Sequence, residues 1–372
     1  MAKSERDGVA GFVLEDQYER VATLDGLRGV AAIAAAAYDL SEVAGLRHDQ
    51  TGYFSHSYLA ADFFFCLSGF VLARRHGEEL ARKRMSLRTF YLARLIRLMP
   101  LPALVCALAF LMRIVFVNSG DPLDGDTAVG LLINLPFGLL TLPQTDHSFA
   151  PALHTALNPG AWFVCSAALA SGLWATLLVR VPIGMILCVA AISLLVVAPH
   201  LFAANTLASM GTGVSSMWLS FARALLSFLL GAALWRCSLG KVDAVFYVEI
   251  LGTILWAVLW LPIESNWILD SVCVLLLFPT IILFAAEARA LVSATSVLRF
   301  LGTISYPLFV LHSFLLLLLV KVSELQPALL SAKSMPFVLG AWVACAWLAS
   351  HHVDRPARAW IAHKLTTGRG PS

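Results

Sequence analysis

The sequence predicts an all-α polytopic membrane protein with about ten transmembrane helices and one re-entrant or interfacial segment. Of the 372 residues, 59% are hydrophobic and only 13% are charged, whereas a soluble domain averages about 25% charged residues. Several runs of about 20 apolar residues carry almost no charge, which is typical of membrane-spanning helices. The seven cysteines form no CxxC pair or Cys/His cluster, so no metal site is predicted.

The apolar runs divide the chain into ten predicted spans. These lie at 23–43, 58–73, 98–117, 161–179, 182–200, 217–235, 244–262, 267–286, 302–320 and 336–352. An eleventh apolar run, 128–142, is short and contains Pro136. The predicted membrane domain covers 21–356, between polar tails at 1–20 and 357–372.

The distribution of charge predicts which loops are cytoplasmic. Residues 74–97 hold eight Lys and Arg side chains, which places them inside by the positive-inside rule. Residues 118–160 hold four aspartates and no Lys or Arg, as expected outside. If 128–142 does not cross, the later cationic loops and the tail also fall inside. We therefore predict ten crossings with both termini cytoplasmic, and a re-entrant or interfacial segment at 128–142 that is shielded by protein.

The first span, "VATLDGLRGVAAIAAAAYDLSEVAG" at 21–45, keeps an arginine near its start, Arg28, and an aspartate near its end, Asp39. Their separation of eleven residues is about 20° from whole helical turns, so both lie on one face, about 16 Å apart along the axis. Charges in a bilayer are costly and usually functional. The alternative is that Arg28 snorkels to the headgroups and Asp39 begins the external loop.

Six stretches carry motifs in order along the chain. They are "LDGLRG" at 24–29, "AADFFFCLSGFVLARR" at 60–75, "FYLARLIRLMP" at 90–100, "NPGAWFVCSA" at 158–167, "LGTISYPLFVLH" at 301–312 and "HVDRPAR" at 352–358. Together they resemble the acyltransferase-3 family of membrane-bound O-acyltransferases. The resemblance implies a reaction that moves an acyl group from acyl-CoA to a hydroxyl, usually on a sugar.

The chain departs from the family pattern at positions where the family has a catalytic or a basic residue. The resemblance aligns the family's catalytic His with Asp39 and the first arginine of its basic turn with Ala93. A free carboxylate has a pKa of about 4, so it is a weaker base at neutral pH than imidazole. Asp39 therefore predicts little or no transfer, and Asp39→His is expected to restore it. External histidines such as His56 and His154 are alternative bases.

The resemblance and the residue chemistry together assign roles. Asp39 and Arg28 are the catalytic candidates. Cations suit the CoA phosphates, and this site is assigned to Arg75, Arg84, Arg94 and Arg97. Substrate binding is assigned to Asp62, Trp162, Ser305, Tyr306 and His312.

Each assignment has a structural alternative. For the basic cluster, the alternative is that it only fixes the topology and contacts anionic lipid. For the polar residues of 301–312, it is hydrogen bonding between helices, and for Trp162 it is a place in an interfacial aromatic belt. Arg223, near the outer start of its span, is predicted to snorkel.

The sequence thus predicts a bacterial inner-membrane O-acyltransferase with acyl-CoA as donor and no metal. Its acceptor is a hydroxylated molecule such as a glycan or glycolipid, its surroundings are the lipid bilayer, and no nucleic acid is involved. Two alternatives stay open: a pseudo-enzyme that binds acyl-CoA or glycan without turnover, and a polytopic transporter without covalent chemistry. A transporter predicts paired inverted halves with broken helices, for which the sequence gives no sign.

Overall fold

The computed structural model describes residues 22–45, 53–117, 135, 160–208, 210, 217–237, 247–288, 290–291 and 294–367. The described elements are helical, in the following chain order: α1 Ala22–Val43, α2 Ala60–Ala81, α3 Leu87–Leu98, α4 Pro100–Val117, α5 Ala161–Leu173, α6 Ile183–Ala204, α7 Met217–Cys237, α8 Val248–Trp260, α9 Trp267–Val272, α10 Phe278–Glu287, α11 Thr295–Ser323, α12 Met335–Ala349 and α13 Arg355–Thr367. Single π-helical turns continue α5, α9 and α12, at Trp174–Leu178, Cys273–Leu277 and Ser350–Asp354.

Among the described residues, six stretches are long and apolar enough to cross a membrane unaided. They are Ser57–Ala81, Ile183–Ala204, Met217–Cys237, Trp267–Glu287, Thr295–Ser323 and Met335–Lys364. The bent pair α3 and α4, at 41°, is a seventh candidate. Each of the ten predicted spans is helical over most of its described length, but α8 is short and α1 carries four charged residues. The all-α membrane class is confirmed, whereas the count of ten stays a prediction; the run 128–142, apart from Leu135, lies outside the described residues.

Helix α1 packs closely against α11 because glycines lie at the contact between them. A Cβ added to Gly29 would collide with Leu301, and one added to Gly302 would collide with Asp25. Small residues of this kind let transmembrane helices approach at backbone distance. The close contact fixes the axial register of α1 against α11, and with it the pairing of their polar side chains.

The two helices of this pair run in the same direction. Gly29 faces Leu301, and further along both helices Asp39 faces His312. Two spanning helices that run in the same direction are separated by an odd number of crossings. The parallel packing therefore agrees with the seven spans that the sequence predicts between them.

Helices α2 and α7 form the second close pair. A Cβ on Gly69 would collide with the carbonyl oxygen of Phe228, and one on Gly231 with that of Cys66. These contacts bring the two backbones together along their middle turns. This close contact between α2 and α7 holds the polar residues of α2 in position.

Hydrogen bonds from side chains to backbone identify the two ends of the bundle. At one end Arg180 donates to the carbonyl of Leu80, and Arg236 donates to those of Val179 and Val181. We call this the basic end. It also carries the cations Arg75, Arg82, Lys83, Arg84, Arg88, Arg94, Arg97, Arg355 and Arg358. At the opposite end the Ser57 hydroxyl donates to the carbonyl of Leu259.

Candidate active site

The carboxylate of Asp39 on α1 pairs with the imidazole of His312 on α11. Nε2 of His312 lies 3.1 Å from Oδ2 of Asp39. The His312 side chain is 7% exposed and that of Asp39 is 34% exposed. The other ring nitrogen, Nδ1, lies 3.2 Å from the carbonyl oxygen of Leu308, one turn earlier on α11. An imidazole therefore occupies the neighbourhood of position 39, although it comes from another helix.

The two contacts of His312 fix where its protons lie. A carbonyl oxygen only accepts hydrogen bonds, so Nδ1, which faces Leu308, carries a hydrogen. In the neutral ring with its hydrogen on Nδ1, Nε2 presents a lone pair towards Oδ2 of Asp39 at 3.1 Å, so a single proton placed between the two atoms is bonded to both groups. The two side chains together form a site for one shared proton.

Arg28 lies nearer the N-terminal end of α1, away from this pair. Its Nε donates to Oγ of Ser305 at 2.9 Å, and its Nη2 lies 2.8 Å from Oδ1 of Asp25. The helical rise puts it about 16 Å along the axis from position 39. The predicted catalytic residues Arg28 and Asp39 therefore occupy two levels of the same helix. Ser305 belongs to the lower level and His312 to the upper one.

A cavity at the basic end is lined by six arginines, and we call it the arginine cavity. The arginines are Arg28, Arg75, Arg94, Arg97, Arg355 and Arg358. Asp354 is the one carboxylate among its lining residues, all of which belong to the described part of the chain. Much of the remaining wall is apolar, including Leu67, Val71 and Phe90. Strong positive charge at an apolar hollow favours an amphipathic anion.

Neighbouring polar groups orient several of these arginines. Nε of Arg94 donates to Oγ of Ser171 at 2.7 Å. Nη2 of Arg358 lies 2.6 Å from Oδ2 of Asp354, and its guanidinium stacks 5.3 Å from the ring centre of Tyr306. Fixed guanidiniums lose little side-chain entropy when they bind an anion, since their geometry is set beforehand.

Tyr306 lines the arginine cavity from α11. Its hydroxyl donates to the carbonyl of Leu98 at 2.8 Å, which ties α11 to the end of α3. The ring, stacked on a guanidinium, is thus part of the wall of the arginine cavity rather than a neighbour of the Asp39–His312 pair.

Three phenylalanines of the arginine cavity form an aromatic cluster, and one of them packs against His312. Phe64, Phe163 and Phe309 all line the cavity. Their ring centres lie 4.9 Å apart for Phe64 and Phe309 and 4.4 Å apart for Phe163 and Phe309. The ring centre of Phe309 also lies 5.5 Å from that of His312. One aromatic residue therefore contacts both the cavity and the pair.

Trp162 stands behind this aromatic cluster. Its ring centre lies 6.1 Å from that of Phe65 and 6.0 Å from that of Phe163. It is half-buried and is not among the lining residues of the arginine cavity. Trp162 thus supports Phe163, and a contact with substrate stays a prediction.

Asp62 lies in a separate buried network, at the opposite end from the arginine cavity. Its carboxylate is 0% exposed and accepts hydrogen bonds from Nε and Nη2 of Arg223. Nη1 and Nη2 of Arg223 also donate to the carbonyls of Leu207 and Tyr58. The prediction that Arg223 snorkels to the headgroups is therefore wrong, because the guanidinium is buried and paired with a carboxylate. A role of Asp62 in substrate binding stays a prediction.

The remaining predicted residues divide as follows. Arg75, Arg94 and Arg97 come together in the arginine cavity, whereas Arg84 is not among its lining residues. His56 is buried, and its Nδ1 lies 3.1 Å from the carbonyl of Leu261. Burial lowers the pKa of His56, so it is neutral near pH 7. His154 lies outside the described residues.

Two arginines of the cavity were missing from the sequence predictions. Arg355 and Arg358 are the two arginines of the closing "HVDRPAR" motif at 352–358. Helix α13 begins at Arg355, and it brings both guanidiniums into the cavity. Their spacing of three residues puts both on one face of a helix. That spacing is the signal in the sequence from which the two residues could be found.

Comparisons with known proteins assign the chain to a family. The acyltransferase-3 model, described as an acyltransferase domain, matches residues 21–351. A curated relative, "Protein 2 in picA locus" of Rhizobium radiobacter, is 37% identical over 152 residues, which are 40% of this chain and 74% of the relative. No solved structure matches. Because the family model covers most of the chain and the helices carry its motifs in order, the chain belongs to the acyltransferase-3 family of membrane-bound O-acyltransferases.

Proposed function

We propose that this protein transfers an acyl group from acyl-CoA to a hydroxyl of a glycan, glycolipid or similar acceptor. One observation carries the proposal: Phe309 lines the arginine cavity, and its ring also contacts the His312 ring. A phosphate-rich donor and a proton acceptor are the two things that acyl transfer to a hydroxyl needs. The arrangement supplies both within one continuous core.

The donor side follows from charge and surface. Guanidiniums bind phosphate oxygens in a bidentate way, with charge-assisted hydrogen bonds. Six of them surround an opening with apolar walls. The nucleotide end of acyl-CoA carries its phosphates, and its pantetheine arm is long and largely uncharged. We therefore orient the donor with its phosphates at Arg94 and Arg97 and its thioester directed towards Phe309.

Asp39 does not argue against turnover in this arrangement. The expectation of an inactive chain rested on the lack of an imidazole at position 39. His312 supplies an imidazole within 3.1 Å of that position. We therefore propose an active enzyme, and the readings as a pseudo-enzyme or a transporter become outcomes of the experiments below.

The basic end is proposed to face the cytoplasm. Cationic residues of α2, α3 and α13 lie at that end, as the positive-inside rule requires of cytoplasmic loops in a bacterial inner membrane. Cytoplasmic acyl-CoA then enters the arginine cavity directly. The acceptor meets the acyl group from the other side, at Asp39.

Cysteine labelling in intact cells tests this orientation. In a cysteine-free background, single cysteines at Lys83 and Thr366 are expected to resist a membrane-impermeant maleimide, because both lie at or beyond the basic end. A cysteine at Ser331, in the turn between α11 and α12, is expected to react. Labelling of positions 83 and 366 without prior lysis would reverse the proposed orientation.

Thiol release from acetyl-CoA tests the activity itself. The full chain, purified into nanodiscs, is expected to release free CoA thiol when a methyl glucoside supplies the hydroxyl, and to yield the O-acetyl product in equal amount. A pseudo-enzyme would bind acetyl-CoA without releasing thiol. A transporter would do neither, and would instead move solute in sealed vesicles. Empty nanodiscs are the control for spontaneous hydrolysis.

A further inference from the structure

We propose that Asp39 and His312 act as one acid–base unit, in which α11 supplies the imidazole and α1 the carboxylate. This inference rests on the proposed function and names the groups that handle the acceptor's proton. It starts from the 3.1 Å contact between Nε2 and Oδ2. That contact joins residues 273 positions apart, as their numbers show, so neither residue's own helix reveals it.

The local geometry makes the pair suited to receiving a single proton. The carbonyl of Leu308 holds Nδ1 in its protonated form, so the acceptor lone pair of the neutral ring is on Nε2. That lone pair faces the carboxylate, and a proton placed between them is bonded to both groups. A carboxylate beside a ring nitrogen stabilises the imidazolium that forms, and it also holds the ring in one tautomer.

Exposure decides which member meets the acceptor. Asp39 has 34% of its side chain exposed, against 7% for His312. An incoming hydroxyl therefore reaches the carboxylate first, while the imidazole stays in the core against Phe309. We place the acceptor oxygen at Asp39, on the side away from the arginine cavity, and the thioester carbonyl at the aromatic cluster.

The transfer balances as follows. The pair begins as neutral imidazole and carboxylate. The hydroxyl oxygen bonds to the thioester carbonyl carbon, and its proton passes to Asp39 and comes to rest between Oδ2 and Nε2. The carbon–sulfur bond then breaks, and its electron pair leaves on the CoA sulfur. The shared proton is released to the thiolate, directly or through water, so the products are the O-acyl ester and CoA thiol.

If the contact between Asp39 and His312 only held the two helices together, it would need a hydrogen bond but no proton transfer. Asn and Gln can maintain a hydrogen bond across α1 and α11, but they cannot carry a proton between two states. Asp39→Asn and His312→Gln therefore separate helix packing from proton transfer. Exchanging the two residues, Asp39→His with His312→Asp, keeps both chemical groups and the contact between the helices.

Thiol release from acetyl-CoA, with methyl glucoside as acceptor, tests the proposal in nanodiscs. His312→Gln is expected to lower kcat about 10²- to 10⁴-fold, which is the usual contribution of a general acid or base. KM for acetyl-CoA is expected to change little, since His312 does not line the arginine cavity. Asp39→Asn should also lower kcat. The exchanged double variant should recover to within about tenfold of the wild type, as expected for coupled residues.

A control variant and the wild type itself distinguish the possible outcomes. His351→Gln removes a half-buried histidine that does not line the arginine cavity, and it is expected to leave kcat unchanged. If the wild type releases no thiol, the proposed function fails. If the wild type turns over and His312→Gln matches it, the shared-proton unit is overturned while the function stands. An exchanged variant that binds acetyl-CoA yet is no faster than His312→Gln also overturns the unit.

Discussion

Replacing both Arg94 and Arg97 by alanine is expected to weaken acetyl-CoA binding by about 3 kcal/mol or more, or at least roughly 100-fold in Kd. Both guanidiniums line the arginine cavity, and each charge-assisted hydrogen bond to phosphate contributes about 1.5–3 kcal/mol. Calorimetric titration of the nanodisc-embedded protein with acetyl-CoA measures the change. Titration with desulfo-CoA, which keeps the phosphates but lacks the thioester, should show the same loss.

The chain offers a matched control for this prediction. Arg84 and Arg88 belong to the same cationic segment as Arg94 and Arg97, but neither lines the arginine cavity. The Arg84→Ala, Arg88→Ala variant removes the same charge from the basic end and should bind acetyl-CoA with nearly wild-type affinity. Equal losses in the two double variants would mean that net charge acts at long range. No loss in either would leave topology as the role of the segment.

Hydropathy and composition predicted the all-α membrane class because they report directly on the bilayer. They were less informative about the ends of helices. The second span was predicted at 58–73, yet α2 continues to Ala81. Its last turns are polar and stabilised by an ion pair between Arg82 and Glu78, because helical hydrogen bonding does not stop where the apolar core of the membrane does. Helix α13 likewise continues to Thr367, beyond the last apolar run.

The candidate site divides in a similar way. The face shared by Arg28 and Asp39 follows from helical periodicity, and the family motifs singled out Arg94, Arg97 and His312. The sequence could not show that His312 lies opposite Asp39 rather than beside Ser305. That outcome depends on the axial register of α1 and α11, which is set by the close contacts at Gly29 and Gly302. No local pattern encodes a register between two distant helices.

Arg223 and Asp62 illustrate how a single-helix reading assigns the wrong surroundings. Each residue lies near the same end of its own span, so snorkelling was the simplest explanation for the arginine. The parallel packing of α2 and α7 instead brings the two charges together in the core. Pairing then removes the need to reach the headgroups, since each charge satisfies the other.

Arg223→Leu is expected to cost about 3–5 kcal/mol of stability, because it leaves the buried carboxylate of Asp62 without its cation. It also removes the donors to the carbonyls of Leu207 and Tyr58. The double variant Asp62→Leu, Arg223→Leu should recover a large part of the loss, since replacing both members by apolar side chains removes the uncompensated charge. The apparent melting temperature of the detergent-solubilised protein measures both effects. Should Arg223→Leu and the double variant melt like the wild type while thiol release is lost, the pair serves the substrate rather than the fold.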